Sequence, residues 1–128
     1  MKFSGFLAGA LLAVGLAACG NNAPTAPAQP MSVEAFRREL VNMPLCGKAK
    51  EGELAGKVVC TIHLADGSAV VAGSGFLARG FWDTDGKRIC RRDAVDPPDH
   101  RRCVSYERLG DNHYRNSDGI EFCIGPCP

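Results

Sequence analysis

The residues with the most chemical potential in this 128-residue chain are its seven cysteines. Two of them close the sequence as Cys123-Ile124-Gly125-Pro126-Cys127. A dithiol oxidoreductase needs its nucleophilic cysteine at a helix N-terminus, where amides and dipole lower the thiol pKa. Here three residues separate the cysteines rather than two, and only Pro128 follows. No helix can start there, so the Gly125-Pro126 turn is expected to staple the C-terminal end. Cys60-x-x-His63 has the spacing of a metal half-site, with His100 and His113 elsewhere. In a strand, however, Cys60 and His63 point to opposite faces, and thiols outside the cytoplasm are mostly oxidised. No metal and no cofactor is expected. Ser74 in Gly73-Ser74-Gly75 lacks the surroundings of a nucleophile elbow, and Asp83 and Asp85 belong to a turn. No catalytic residue is assigned.

The odd cysteine count is resolved at the N-terminus. Lys2 precedes an apolar run from Phe6 to Ala18, which is too short for a span of about 20 residues and reads as a signal peptide over residues 1–18. Leu16-Ala17-Ala18-Cys19 resembles the lipobox of bacterial lipoproteins. The resemblance implies cleavage before Cys19, diacylglycerol on its sulfur (palmitate-type acylation) and a membrane anchor. Gly20 in place of an inner-membrane retention Asp leans toward the outer membrane, facing the periplasm or the cell surface. Six cysteines then remain: Cys46, Cys60, Cys90, Cys103, Cys123 and Cys127. An even number in an exported chain predicts three disulfides.

Without Lys2 the chain carries 14 basic and 14 acidic residues. A balance of this kind offers no nucleic-acid footprint. Pro24, Pro27 and Pro30 recur every third residue, so residues 19–31 are expected to be a lipidated cysteine and an extended spacer of about 37 Å.

Residues 32–128 form the expected domain. Ser32 is a suitable N-cap, and Val33, Phe36 and Leu40 share one helical face. A short amphipathic helix is predicted over 32–42, ended by Pro44. The rest reads as β. Asp66-Gly67, Asp85-Gly86 and Asp118-Gly119 mark tight turns, each with a large apolar residue three positions after the glycine: Val70, Ile89 and Phe122. Strands are predicted near 57–63, 68–72, 76–82, 87–92, 102–108, 112–115 and 120–124. The expected fold is mainly β, a small antiparallel meander curling into a barrel or half-barrel, stapled by disulfides because so small a core is marginal. The layout Gly80-Phe81-Trp82, Asp85-Gly86, Cys90, Cys103, Tyr106, Tyr114, Asp118-Gly119 resembles small secreted bacterial domains of unknown function. That implies an export-compartment β fold and no known activity.

Cys90 and Cys103 flank a hairpin with Pro97-Pro98 near its tip, which predicts their pairing. The other four cysteines allow Cys46–Cys60 with Cys123–Cys127, Cys46–Cys123 with Cys60–Cys127, or Cys46–Cys127 with Cys60–Cys123. Barrel closure between first and last strands favours the last. The same hairpin gathers Arg88, Arg91, Arg92, Arg101 and Arg102. A solvated hairpin with weak internal ion pairs is one reading. The other is a surface for an anionic envelope component or acidic protein, since Arg captures phosphate or carboxylate bidentately. The function expected is therefore non-catalytic: a binding, inhibitory or envelope-structural lipoprotein. The alternative is an enzyme or enzyme accessory acting on envelope polymers.

Overall fold

A computed structural model describes residues 27–128. The expected signal peptide, Cys19 and most of the expected spacer lie outside the described residues. The order is β1 (Gln29–Pro30), α1 (Val33–Leu40), β2 (Pro44–Lys48), β3 (Val58–His63), β4 (Ser68–Gly73), β5 (Phe76–Thr84), β6 (Ile89–Asp93), a 3-10 turn (Pro98–His100), β7 (Arg102–Val104), β8 (Tyr106–Gly110), β9 (His113–Asn116) and β10 (Glu121–Ile124).

All strand pairs are antiparallel and lie in one sheet, ordered β1-β8-β9-β10-β2-β3-β4-β5-β6-β7. The expected meander is present. Only Ser105 separates β7, at one end of that order, from β8. Residues 102–110 are thus one bent strand that pairs with β6 through its first half and with β9 through its second. The bend is fixed by Ser117, whose Oγ accepts from the Ser105 amide at 3.0 Å while its own amide donates to the Ser105 carbonyl at 2.9 Å. With β10 paired to β2, the ring closes as an up-and-down barrel. A barrel of this size has an interior just wide enough for side chains or one small ligand.

Register and alternation divide the two faces. Leu45, Thr61, Val71 and Ala78 are successive cross-strand partners on the inner face. The next row, Cys46, Cys60, Ala72 and Leu77, therefore faces outward. Gly47 and Gly80 belong to the inner face, and a Cβ on either would collide with a backbone carbonyl of the adjacent strand, that of Glu121 or Arg92. Their missing side chains let the wall curve there.

Helix α1 closes one end of the barrel. Ser32 Oγ accepts from the Ala35 amide at 3.0 Å, and Glu34 complements the dipole in the first turn. Phe36 and Leu40 are 1% and 0% exposed. The Phe36 ring lies 4.8 Å from Tyr106, 5.2 Å from His63 and 5.8 Å from Trp82, centroid to centroid. After the helix, Asn42 takes a φ of 68°; its amide donates to His63 O at 2.7 Å and its Oδ1 accepts from the Ala65 amide at 3.0 Å. Trp82 Nε1 donates to Leu64 O at 2.7 Å. The segment after the plug is thereby tied to the end of β3 and the β3–β4 turn, and β5 is tied to the same turn through Trp82.

The three Asp-Gly turns form with glycine φ values of 91°, 95° and 84° at Gly67, Gly86 and Gly119. Amides of Lys87 and Arg88 hold the Asp85 carboxyl down at about 2. Ile89 and Phe122 enter the core as the repeat suggests, but in the first turn the inward residue is Ala69, and Val70 points out. Two strands differ from expectation. β2 lies outside the predicted strands, and Gln29 and Pro30, within the expected spacer, pair with Arg108 and Glu107. Met31 then buries to 8% exposure and its amide donates to Tyr106 O at 2.9 Å.

Candidate functional site

The six cysteines of the domain are joined as Cys46–Cys60, Cys90–Cys103 and Cys123–Cys127. The hairpin pair is the one its flanking strands predict, since Cys90 and Cys103 are register partners. Among the three open pairings of the remaining four, the local one is formed, although the first and last barrel strands do pair. The reason is lateral. Cys123, Cys46 and Cys60 are successive partners across β10, β2 and β3, so Cys46 has a neighbour on each side. Cys127 is brought back by the turn at Gly125, φ 74°, and its Sγ lies 3.7 Å from Cys46 O. Asp85 sits with Cys90 and Cys103 in a cluster of ligand-capable atoms. Both sulfurs are consumed by the disulfide, so no thiolate is offered to a metal there.

The five hairpin arginines do not form one surface. β6 sends Arg91 inward and Arg92 outward. Arg91 is opposite Trp82 and Arg102 in register; its Nη1 donates to Thr61 Oγ1 at 3.4 Å. Arg102 lies at the mouth of the barrel, donating to Asp118 Oδ2 at 2.9 Å. Arg88 is bound to Asp85 at 2.7 Å and Arg101 to Asp83 at 2.9 Å. Arg92 crosses the outer face, with its guanidinium 4.7 Å from the Phe81 ring centroid and an Nη1 bond to Asp96 O at 3.2 Å. Phe81 is 47% exposed, and Leu77, two positions beyond Arg79 on the same face, is 59% exposed. The outer face of β5 and β6 thus carries an apolar stripe interleaved with basic side chains.

The inner face encloses a cavity of about 510 Å³ beneath the β2–β3 loop, continuous in its lining with a second lobe of about 290 Å³ under the hairpin tip. His63, Arg91, Tyr106 and Asn116 line both lobes. His63 is 1% exposed, and its Nδ1 is buried with no hydrogen-bond partner. Burial, then the nearby Arg91 charge, lowers its pKa from 6.5 to about 3. It is a neutral imidazole at pH 7. Burial likewise pushes the Tyr106 hydroxyl up to about 12, with the Arg91 charge acting against it. Among the described salt bridges none includes Arg91, although Asp93 lines both lobes and Asp96 and Asp118 line the second.

In the sequence His63 stands out only through its spacing from Cys60. The signal for its actual place was the alternation Val59, Thr61, His63 within one strand. Among the described residues no helix is long and apolar enough to cross a membrane. No family model, no curated protein and no solved structure matches the chain.

Proposed function

We propose that this chain is a lipid-anchored envelope protein whose barrel is a non-catalytic binding module, with the outer face of β5 and β6 as its contact surface for an anionic partner. Three disulfides agree with an oxidising compartment outside the cytoplasm. The lipobox-like Leu16-Ala17-Ala18-Cys19 supports acylation at Cys19 and placement at the bacterial outer membrane.

The observation that carries the contact surface is Arg92 stacked over an exposed Phe81. Interface hot spots draw on aromatic and arginine side chains, and a guanidinium on a ring is pre-oriented for a carboxylate or phosphate. Arg88, Arg101 and Arg102 already hold carboxylates, which leaves Arg92 as the strongest anchor of the five hairpin arginines on the outside.

The test uses the chain carrying Cys19→Ala, so that no acyl anchor contributes. Co-sedimentation with purified peptidoglycan and with phosphatidylglycerol vesicles is measured for this protein and for Arg92→Glu and Phe81→Ala. The proposal expects capture by one of the two, lost on either substitution and kept by Arg101→Glu. Capture unchanged by Arg92→Glu and Phe81→Ala, or capture by neither, overturns it.

A further inference from the structure

The barrel interior is a second, separate place where a ligand could sit. Its polarity is sorted by depth. Toward the plugged end lie His63 and Tyr106 with Phe36 behind them. Arg91 and Thr61 stand at mid-depth, linked by their 3.4 Å hydrogen bond. Toward the open end the same wall is apolar, with Val59, Val71, Phe76 and Ala78 on β3 to β5 and Leu54 in the loop above. A small-molecule site has this composition: a mostly apolar concavity with a few converging polar groups. The volume of about 510 Å³ falls in the same range.

The charges select among ligands. Arg91 is the cation at mid-depth, beside the Thr61 hydroxyl, the neutral His63 imidazole and the Tyr106 phenol; Asp93 lines both lobes, and Asp96, Asp118 and Arg102 line the second, where Arg102 is paired with Asp118. A single half-buried guanidinium that forms none of the described salt bridges favours one negative charge. The rim is acidic, since Glu51, Glu53 and Asp93 line it against Lys48. A dianion such as a phosphomonoester would be repelled on entry, while a monoanion loses less there and gains a bidentate contact inside. The apolar wall between rim and Arg91 then requires an apolar body on that anion.

We infer that the barrel binds an amphipathic organic monocarboxylate, with its acid group on Arg91 beside Thr61 and Tyr106 and its apolar body against Val59, Val71, Phe76 and Ala78. This site does not depend on the outer face of β5 and β6, and a result at either leaves the other standing.

Calorimetric titration with decanoate at submicellar concentration tests it, with decanol and inorganic phosphate as comparators. Decanoate should saturate at one per chain. Decanol and phosphate should each bind at least tenfold more weakly. Arg91→Gln should weaken decanoate tenfold or more, and Ala78→Phe, which fills the apolar wall and leaves Arg91 in place, should do the same. Near-ultraviolet dichroism of Trp82 reports whether each variant is folded. If Arg91→Gln does not fold, the decanoate–decanol comparison on the unaltered chain and the Ala78→Phe variant decide. No saturable decanoate binding, equal binding by a folded Arg91→Gln or Ala78→Phe, or decanol or phosphate binding as tight as decanoate overturns the inference.

Discussion

Cys123 stands directly across from Cys46 on neighbouring strands, yet each sulfur bonds elsewhere, Cys123 to Cys127 and Cys46 to Cys60. Three half-cystines in one row give Cys46 two partners within reach. Removing Cys60 should therefore redirect the network. In Cys60→Ser, Cys46 is expected to pair with Cys123 and to release Cys127 as the free thiol. Peptide mapping after alkylation without reduction would show the label on Cys127. Label on Cys46, with Cys123–Cys127 intact, would show that the strands hold the sulfurs too far apart to exchange. Loss of the native cross-link, which closes a loop with a sequence separation of 14, should cost about 3 kcal/mol unless the new pair replaces it.

Phe36 reaches from the helix into the aromatic group of His63, Trp82 and Tyr106 at 1% exposure. Phe36→Ala leaves a cavity at the closed end that the barrel wall cannot collapse to fill. A loss of about 3–5 kcal/mol is expected, read as a lower urea midpoint with an unchanged slope. Ser32→Ala, which removes only the cap, should cost about 1 kcal/mol.

His63 sets an acid limit on stability. Its pKa is lowered in the folded chain to about 3, from 6.5 when free. As pH falls below about 6.5, the unfolded chain takes up a proton that the folded chain refuses. Stability therefore drops by up to about 1.4 kcal/mol per pH unit on the way toward pH 3. Asp66 and Asp85 are also held below the ordinary carboxylate value, by Ser68 and by the Lys87 and Arg88 amides respectively. Their contributions are lost only at lower pH, which leaves the window from 6.5 to 5 to His63. Urea midpoints across that window should slope in the unaltered chain and flatten in His63→Leu. An equal slope in both would remove His63 as the cause.

Arg108 binds both carboxylate oxygens of Glu39 and so fastens the plug to β8. Both side chains are partly exposed, 31% and 26%, so the gain is modest. Glu39→Gln should cost about 0.5–1 kcal/mol, and the difference from the unaltered chain should shrink as salt is raised.

The meander was legible because most strands carry their own signals. Val58-Val59-Cys60-Thr61-Ile62-His63 is β-branched and alternating, and the three Asp-Gly pairs mark turns that did form. β2 was not legible: Pro44 and Gly47 take two of its five positions, and both residues are poor strand signals taken alone. Gln29-Pro30 reads as spacer because polyproline II and strand occupy nearby backbone regions. Only the edge position at β8 turns the one into the other, and proline is tolerated there. The hairpin arginines looked like one patch because sequence proximity hides the alternation that sets Arg91 inside and Arg92 outside. The disulfide network could not be chosen from spacing, since register places Cys46 equally beside two candidates.

The short β1 has a mechanical consequence. Residues before Gln29 join the barrel through two residue pairs with β8, followed at once by Met31 and the plugging helix. Tension arriving from the N-terminal side meets that weak clasp first and the helix second, before any strand of the ring carries load. Met31 and then Phe36 are the first core residues to be drawn, while Cys46–Cys60 and Cys90–Cys103 still clamp the wall. A pull on the N-terminal side uncorks the vessel without tearing it.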